Sequence, residues 1–152
     1  MIDEIQEIKD KAFSLLSYRD RSAYELKDRL IKKGYSEADV IEVIERLKEL
    51  SYIDDYKFAE KWVKYRIENK PRGKNILKKE LIFKGIEEKI INRVLNELID
   101  VDLEVDIGSF LAEKWLKSHE EDMQRLKRYL YYKGFSAEII HLIMNKMKIK
   151  VN

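Results

Sequence analysis

Three stretches of the chain share one skeleton: Leu26-x-x-x-Leu30-x-x-Lys33-Gly34-Tyr35, Leu77-x-x-x-Leu81-x-x-Lys84-Gly85-Ile86 and Leu126-x-x-x-Leu130-x-x-Lys133-Gly134-Phe135. The glycines lie 51 and 49 residues apart. A skeleton that returns at a near-fixed period means one supersecondary unit built in tandem. In each copy the two leucines, four apart, share a helix face. The lysine sits where a cation favours the negative end of the helix dipole. The glycine can adopt φ > 0 just beyond it, and the next apolar residue falls where a Schellman turn makes its hydrophobic contact.

A second helix follows each turn. Its apolar positions are Val40, Val43, Ile44 and Leu47, then Ile91, Val94, Leu95 and Leu98, then Ile140, Ile143, Met144 and Met147. That spacing is the stripe of an amphipathic helix. Ser36 and Ser136 are candidate N-caps, and Glu87 is a poorer one. The helices before the turns start at Ser22, Gly73 and Asp122, and Ser22-x-x-Glu25 forms a capping box. Pro71 and Gly73 break the chain ahead of the middle copy. A further helix precedes each pair, with Ala59-Glu60-Lys61-Trp62-Val63-Lys64 echoed by Ala112-Glu113-Lys114-Trp115-Leu116-Lys117 and, faintly, by Ala12 to Arg19.

The expected fold is therefore all-α: three tandem three-helix, helix-turn-helix-like repeats over residues 1–50, 51–100 and 101–152, forming an elongated, curved array. Helices are predicted over 4–18, 23–33, 37–50, 55–69, 74–84, 88–99, 103–118, 123–133 and 137–148. Ile2 to Ile8 either extend the first helix or fray. No segment reads as a strand.

Composition narrows the function classes. Charged residues are 39% and hydrophobic residues 45%, enough for a core. No apolar run approaches the roughly 20 residues of a membrane helix. The chain has no cysteine, so it has no disulfide framework and no thiolate metal site. A cytosolic protein is the plain reading, and a monomer is expected. Net charge is +2, but the segments are −4 over 1–56, +7 over 57–84, −7 over 85–122 and +6 over 123–152. A charge run is often no more than a solvated helix face. A basic helix repeated in adjacent copies is harder to dismiss, and such segregation could orient the chain on a polyanion or an acidic protein. The resulting contact set is Arg72, Lys74, Lys78, Lys79 and Lys84, then Arg125, Lys127, Arg128 and Lys133, joined by Arg19, Arg21 and Lys27. These cations are expected along one flank of the array.

No catalytic constellation is present. His119, in an expected loop, and His141, on the last helix, lack the carboxylate or histidine neighbours of a metal site, so neither metal nor cofactor is expected. Arg72-Gly73-Lys74 lacks the rest of a phosphate loop. Asp54-Asp55 reads as helix capping. Trp62 and Trp115 occupy equivalent positions and read as core rather than base-stacking residues, whereas Tyr52 and Tyr131-Tyr132 stay open, one of the pair being available to a partner or a base. A sequence-specific helix-turn-helix is disfavoured, because the helix after the first turn carries Glu37, Asp39, Glu42, Glu45 and Glu49, which phosphates would repel.

Arg19-Asp20-Arg21-Ser22-Ala23-Tyr24-Glu25-Leu26, Lys33-Gly34-Tyr35, Ile53-Asp54-Asp55-Tyr56-Lys57-Phe58-Ala59, Pro71-Arg72 and the run from Leu77 to Ile86 together resemble the RecX family of recombination regulators, over about residues 10–150. The resemblance implies a protein that binds the RecA recombinase, lies in the groove of its filament on single-stranded DNA, and restrains strand exchange and ATP hydrolysis. It leaves open whether DNA is touched directly. Two other readings stand beside it: a nonspecific single-stranded DNA-binding protein acting through its basic helices, and an adaptor for another acidic protein.

Overall fold

The computed structural model describes residues 3–151, and among them every regular element is a helix. In order these are α1 (Glu4–Tyr18), α2 (Ala23–Lys32), α3 (Glu37–Glu49), α4 (Asp55–Glu68), α5 (Lys74–Phe83), α6 (Glu88–Leu98), α7 (Val101–Ser118), α8 (Met123–Tyr132) and α9 (Ala137–Val151). Each expected helix is present. Helix α7 starts two residues earlier than the spacing predicts because the Asp100 carboxylate accepts from the Leu103 N–H at 2.7 Å and fixes the first turn there. Helix α9 runs on to Val151. Ile2 lies outside the described residues.

The chain divides into two compact units, Met1–Lys61 with Leu81–Ile91, and Trp62–Glu80 with Asn92–Asn152. Helices α4, α5 and α6 each contribute to both. In the first unit Ile8, Ala12 and Leu15 of α1 pack with Leu26 and Leu30 of α2 and Val40, Val43, Ile44 and Leu47 of α3, all buried. In the second unit Leu111, Ala112 and Trp115 of α7 close on Leu126, Leu130 and Phe135 and on Ile140, Ile143 and Met144 of α9. These are the stripe positions of the sequence. Each large side chain buried this way contributes about 1.5–3 kcal/mol, which is what holds helices this short in place.

The Lys–Gly turns take the expected form. Gly34, Gly85 and Gly134 have φ of 100°, 77° and 101°. Gly85 N–H donates to Ile82 O at 2.9 Å and Ile86 N–H to Leu81 O at 3.1 Å. In the third copy Gly134 N–H donates to Tyr131 O at 3.0 Å and Phe135 N–H to Leu130 O at 3.2 Å, the paired bonds of a Schellman turn. Gly34 N–H likewise donates to Ile31 O at 2.9 Å.

Two of these turns also dock on the helix that follows the preceding copy's first helix. In the first unit Ser22, the N-cap of α2, donates its hydroxyl to Lys84 O at 2.6 Å. In the second unit Gly73 N–H donates to Lys133 O at 2.9 Å and Asn75 N–H to Gly134 O at 3.0 Å. In the second unit the carbonyls of the turn after α8 thus accept from the otherwise unpaired amides at the start of α5, and in the first unit the donor is the Ser22 hydroxyl. The approach leaves no room for a side chain: a Cβ on Gly85 would overlap Tyr24, one on Gly73 would overlap the Gly134 carbonyl, and one on Gly134 would lie 2.9 Å from Ile76. A Cβ on Gly34 would meet nothing within 4 Å.

Capping follows the sequence in most places and departs from it in others. The Ser22–Glu25 capping box is closed in both directions. Asp122 caps α8, and Ser136 Oγ accepts from the Ile139 N–H at 3.3 Å. Ser36 holds the N-cap position of α3 but makes no side-chain cap bond; instead its own N–H donates to Glu4 Oε1 at 3.4 Å. Asp54 caps its own helix through the Lys57 N–H at 3.1 Å. Its neighbour Asp55 serves another helix, accepting from the Ala23 N–H of α2 at 2.9 Å. In the second unit Glu104, 4% exposed, accepts from the Lys74 N–H at 3.0 Å and caps α5, where Gly73 has no side chain to do so. Trp115 is buried as expected, stacked on His119 with ring centroids 4.3 Å apart, while Trp62 is half-buried.

Alanine substitutions separate the two roles of the turn glycines. Gly34→Ala is expected to cost about 1–2 kcal/mol from backbone strain alone. Gly134→Ala adds about 1–3 kcal/mol of overpacking against Ile76. Urea unfolding of the two variants checks this, and equal midpoints would contradict the docking role.

Candidate functional site

The structure divides the predicted cations into those that hold the fold and those left facing solvent. Arg21 belongs to the first class. It is 6% exposed and donates from Nε to Leu15 O at 3.1 Å, closing the C-terminus of α1. Burial, with Arg19 and Arg29 near, lowers its pKa. Arg19 and Lys84 converge on one carboxylate: Arg19 Nη2 lies 2.9 Å and Lys84 Nζ 3.1 Å from Glu25 Oε2. Burial disfavours ionisation of Glu25, but Arg19, the Ser22 N–H and Lys84 outweigh it and hold the carboxyl below its ordinary value. Lys27 is 3.7 Å from Glu37.

On the first unit Arg19, Arg21, Glu25 and Lys84 border a groove between α2 and the C-terminal end of α5, where Arg29, Lys32 and Lys33 face Tyr24, Ile82 and Phe83. Lys32 is paired with Asp28 at 2.9 Å. Lys33 is exposed, and its pKa is lowered chiefly by neighbouring Lys11, with the charge of Arg29 adding to it. Such crowding of like charge on a surface favours an anionic partner. The predicted contact set took only Arg19, Arg21 and Lys27 from the net-negative residues 1–56, and Arg29 and Lys33 are absent from it. Their spacing of four on a helix was the available signal, since it puts both on one face.

In the second unit Arg72 is half-buried, with Nη1 donating to the adjacent Pro71 O at 2.8 Å. Lys133 is half-buried with Nζ 5.5 Å from the Tyr129 ring centroid, and burial together with Arg72 lowers its pKa. Lys74 and Lys78 are half-buried on α5, and Lys79 is exposed. Arg125, Lys127 and Arg128 are all exposed on α8. Lys127 and Arg128 border a groove of about 780 Å³ between α8 and α9, together with Lys148, Tyr131 and Tyr132. Met123, Ile140 and Met144 supply its apolar lining, and among the described residues no carboxylate lines it. The structure thus brings Lys127 with Arg128, Arg72 with Lys133, and Arg19 with Lys84. The two histidines have local partners: His119 Nδ1 lies 2.9 Å from Trp115 O, and His141 Nε2 lies 3.3 Å from Asn145 Nδ2. Among the described residues no His, Asp and Glu cluster of three is placed to hold a metal ion, and no helix is long and apolar enough to cross a membrane.

Comparison with known proteins bears on these surfaces. The chain matches the first RecX three-helix domain over residues 9–47, the second over 54–95 and the third over 110–144. It is 34% identical over 142 residues to the regulatory protein RecX of Caldanaerobacter subterraneus, covering 93% of this chain and 71% of that one. It is 36% identical over 143 residues to the regulatory protein RecX of Bacillus pumilus, covering 91% of this chain and 54% of that one. The chain therefore spans about half the length of its Bacillus relatives. A crystal structure of RecX from Lactobacillus salivarius superposes with a TM-score of 0.91 at 30% identity, covering 98% of this chain and 99% of that one.

The Glu25 network gives a pH-dependent expectation. A carboxyl held below its ordinary value stabilises the fold fully above the unfolded value of 4.5, and this is lost as pH falls through the folded value. Glu25→Gln should lower stability by about 1–2 kcal/mol at pH 7, with the gap to the unsubstituted chain shrinking under acid. Urea unfolding at pH 7 and at pH 3 checks it; a gap independent of pH would contradict the assignment.

Proposed function

The chain belongs to the RecX family, and on that premise we propose that it is a negative regulator of the RecA recombinase. In this reading it binds the groove of the RecA filament on single-stranded DNA and inhibits strand exchange and the coupled ATP hydrolysis, in recombination, repair and the SOS response. It acts by binding and not by catalysis, as a monomer in the cytoplasm. Its three repeats, divided near residues 50 and 100, offer several modest contacts that add through avidity. The observation that carries the reading is the family match across all three repeats.

The surfaces described above support it. Two grooves are bordered by cations, and among the described residues the one on α8 and α9 is lined by no carboxylate. Cations left in solvent speed encounter with a polyanionic filament and weaken with salt. Of the predicted contact set, Lys79, Arg125, Lys127 and Arg128 are the residues most open to a partner. Arg19 and Lys84 are partly neutralised by Glu25.

RecA-dependent ATP hydrolysis on single-stranded DNA, with and without the protein, tests the reading. The protein is expected to lower the rate at substoichiometric amounts. The Lys127→Glu, Arg128→Glu double variant should need about tenfold more protein for the same inhibition, with helicity unchanged. No effect of the unsubstituted protein would contradict the proposal. Inhibition relieved merely by adding more single-stranded DNA would favour a nonspecific DNA-binding protein instead.

A further inference from the structure

Helices α5 and α8 each end in a pair of exposed apolar or aromatic residues at the same place in the repeat. Ile82 and Phe83 are 54% and 81% exposed, and Tyr131 and Tyr132 are 70% and 82% exposed. Each pair directly precedes the lysine of its Lys–Gly turn, and Ile82 and Tyr131 are separated by the same 49 residues as Gly85 and Gly134. The cores do not need these pairs: Leu77 and Leu81, and Leu126 and Leu130, are the buried residues of the two helices. The first repeat supplies an internal control. At the place of Phe83 and Tyr132 it carries Lys32, which is paired with Asp28, and at the place of Ile82 and Tyr131 it carries Ile31, which packs on the core. The turn therefore forms without an aromatic residue there.

An isolated exposed apolar residue is ordinary. Here Ile82 and Phe83 share a groove with Tyr24, 53% exposed, which makes a contiguous patch in a chain that is 39% charged. Patches of this kind, rimmed by charge, mark contact surfaces, and aromatic side chains are favoured as their anchors.

We propose that Phe83 and Tyr132, each with its preceding neighbour, are two equivalent anchors for a protein partner that offers the same acid-rimmed apolar pocket more than once. The inference rests on the filament reading above and names the side chains that would seat on it. The charge rim supports an acidic partner: Arg29 and Lys33 flank the first anchor, and Lys127, Arg128 and Lys148 flank the second. A protein surface fits better than a nucleic acid. Ile82 has no ring on which a base could stack, and the second groove has an aliphatic and thioether lining. Equivalent anchors on successive repeats call for equivalent pockets on the partner, as the subunits of a polymer provide.

Phe83→Ser, Tyr132→Ser and the double variant test this, with thermal unfolding as the control for folding. Binding is measured to a RecA filament assembled on single-stranded DNA with a slowly hydrolysed ATP analogue, and separately to a fluorescent single-stranded oligonucleotide alone. Each single variant should lose about tenfold in filament affinity and the double variant more than a hundredfold, with oligonucleotide binding unchanged. Filament binding by the double variant equal to that of the unsubstituted protein would overturn the anchors while leaving the filament reading intact. A parallel loss of oligonucleotide binding would overturn them in favour of base stacking. Failure of the unsubstituted protein to bind the filament would overturn both.

Discussion

A helix end is a set of unpaired backbone groups, and in this fold two such ends cancel each other. The Gly73 and Asn75 amides at the start of α5 donate to the Lys133 and Gly134 carbonyls of the turn after α8, and the Ser22 hydroxyl at the start of α2 donates to the Lys84 carbonyl of the turn after α5. The positive end of one helix dipole meets the negative end of another. Everything nearby answers to this contact. The docking face of Gly85 and Gly134 must be bare, Gly73 must be bare opposite Gly134, and the remaining amides need acceptors from elsewhere. Asp55 and Glu104 supply those acceptors from the first turns of α4 and α7. Burial of Asp55 raises its pKa against the favourable Ala23 N–H, so the capping is made at some electrostatic cost.

The same contact shapes the surface. It draws Lys84 toward Glu25 and places Lys133 beside Arg72, so the lysines of the docked turns are half-buried structural cations as much as binding residues. What stays in solvent is displaced by about a turn: Arg29 and Lys33 on α2, and Lys127 and Arg128 on α8. The apolar pairs that precede the lysines are pushed outward by the same geometry, because the face toward the core is already filled by the leucines. Cation and ring therefore arrive together at the borders of two grooves, in the arrangement a protein partner of opposite charge can use.

Local pattern carried most of the fold. The leucine spacing, the Lys–Gly turn and the Ser22–Glu25 box each act within one or two turns of helix, so the helices and the positive φ of the glycines were legible in the sequence. The partners of Asp55 and Glu104 were not, since each caps a helix about 30 residues away and nothing in local spacing marks it. Arg21 looked like one more surface cation; only the packing of α1 on α2 shows that its guanidinium closes a helix end. Ser36 had the right residue type for a cap, but Glu4 takes its backbone while its own hydroxyl makes no cap bond. Segment charge pointed to α8, whose Arg125, Lys127 and Arg128 are exposed, and passed over the exposed Arg29 and Lys33, because a net count averages over the faces of α1, α2 and α3.

Amide hydrogen exchange resolved by residue tests the docking contact most directly. The first-turn amides of an isolated helix have no backbone acceptor and exchange quickly. Here Gly73 and Asn75 donate to Lys133 and Gly134, so they should exchange as slowly as the Leu126 and Leu130 amides inside α8. The Gln124 and Arg125 amides, bonded to the exposed carboxylate of Asp122, should exchange fast. Rapid exchange at Gly73 and Asn75, matching that at Gln124, would contradict the account.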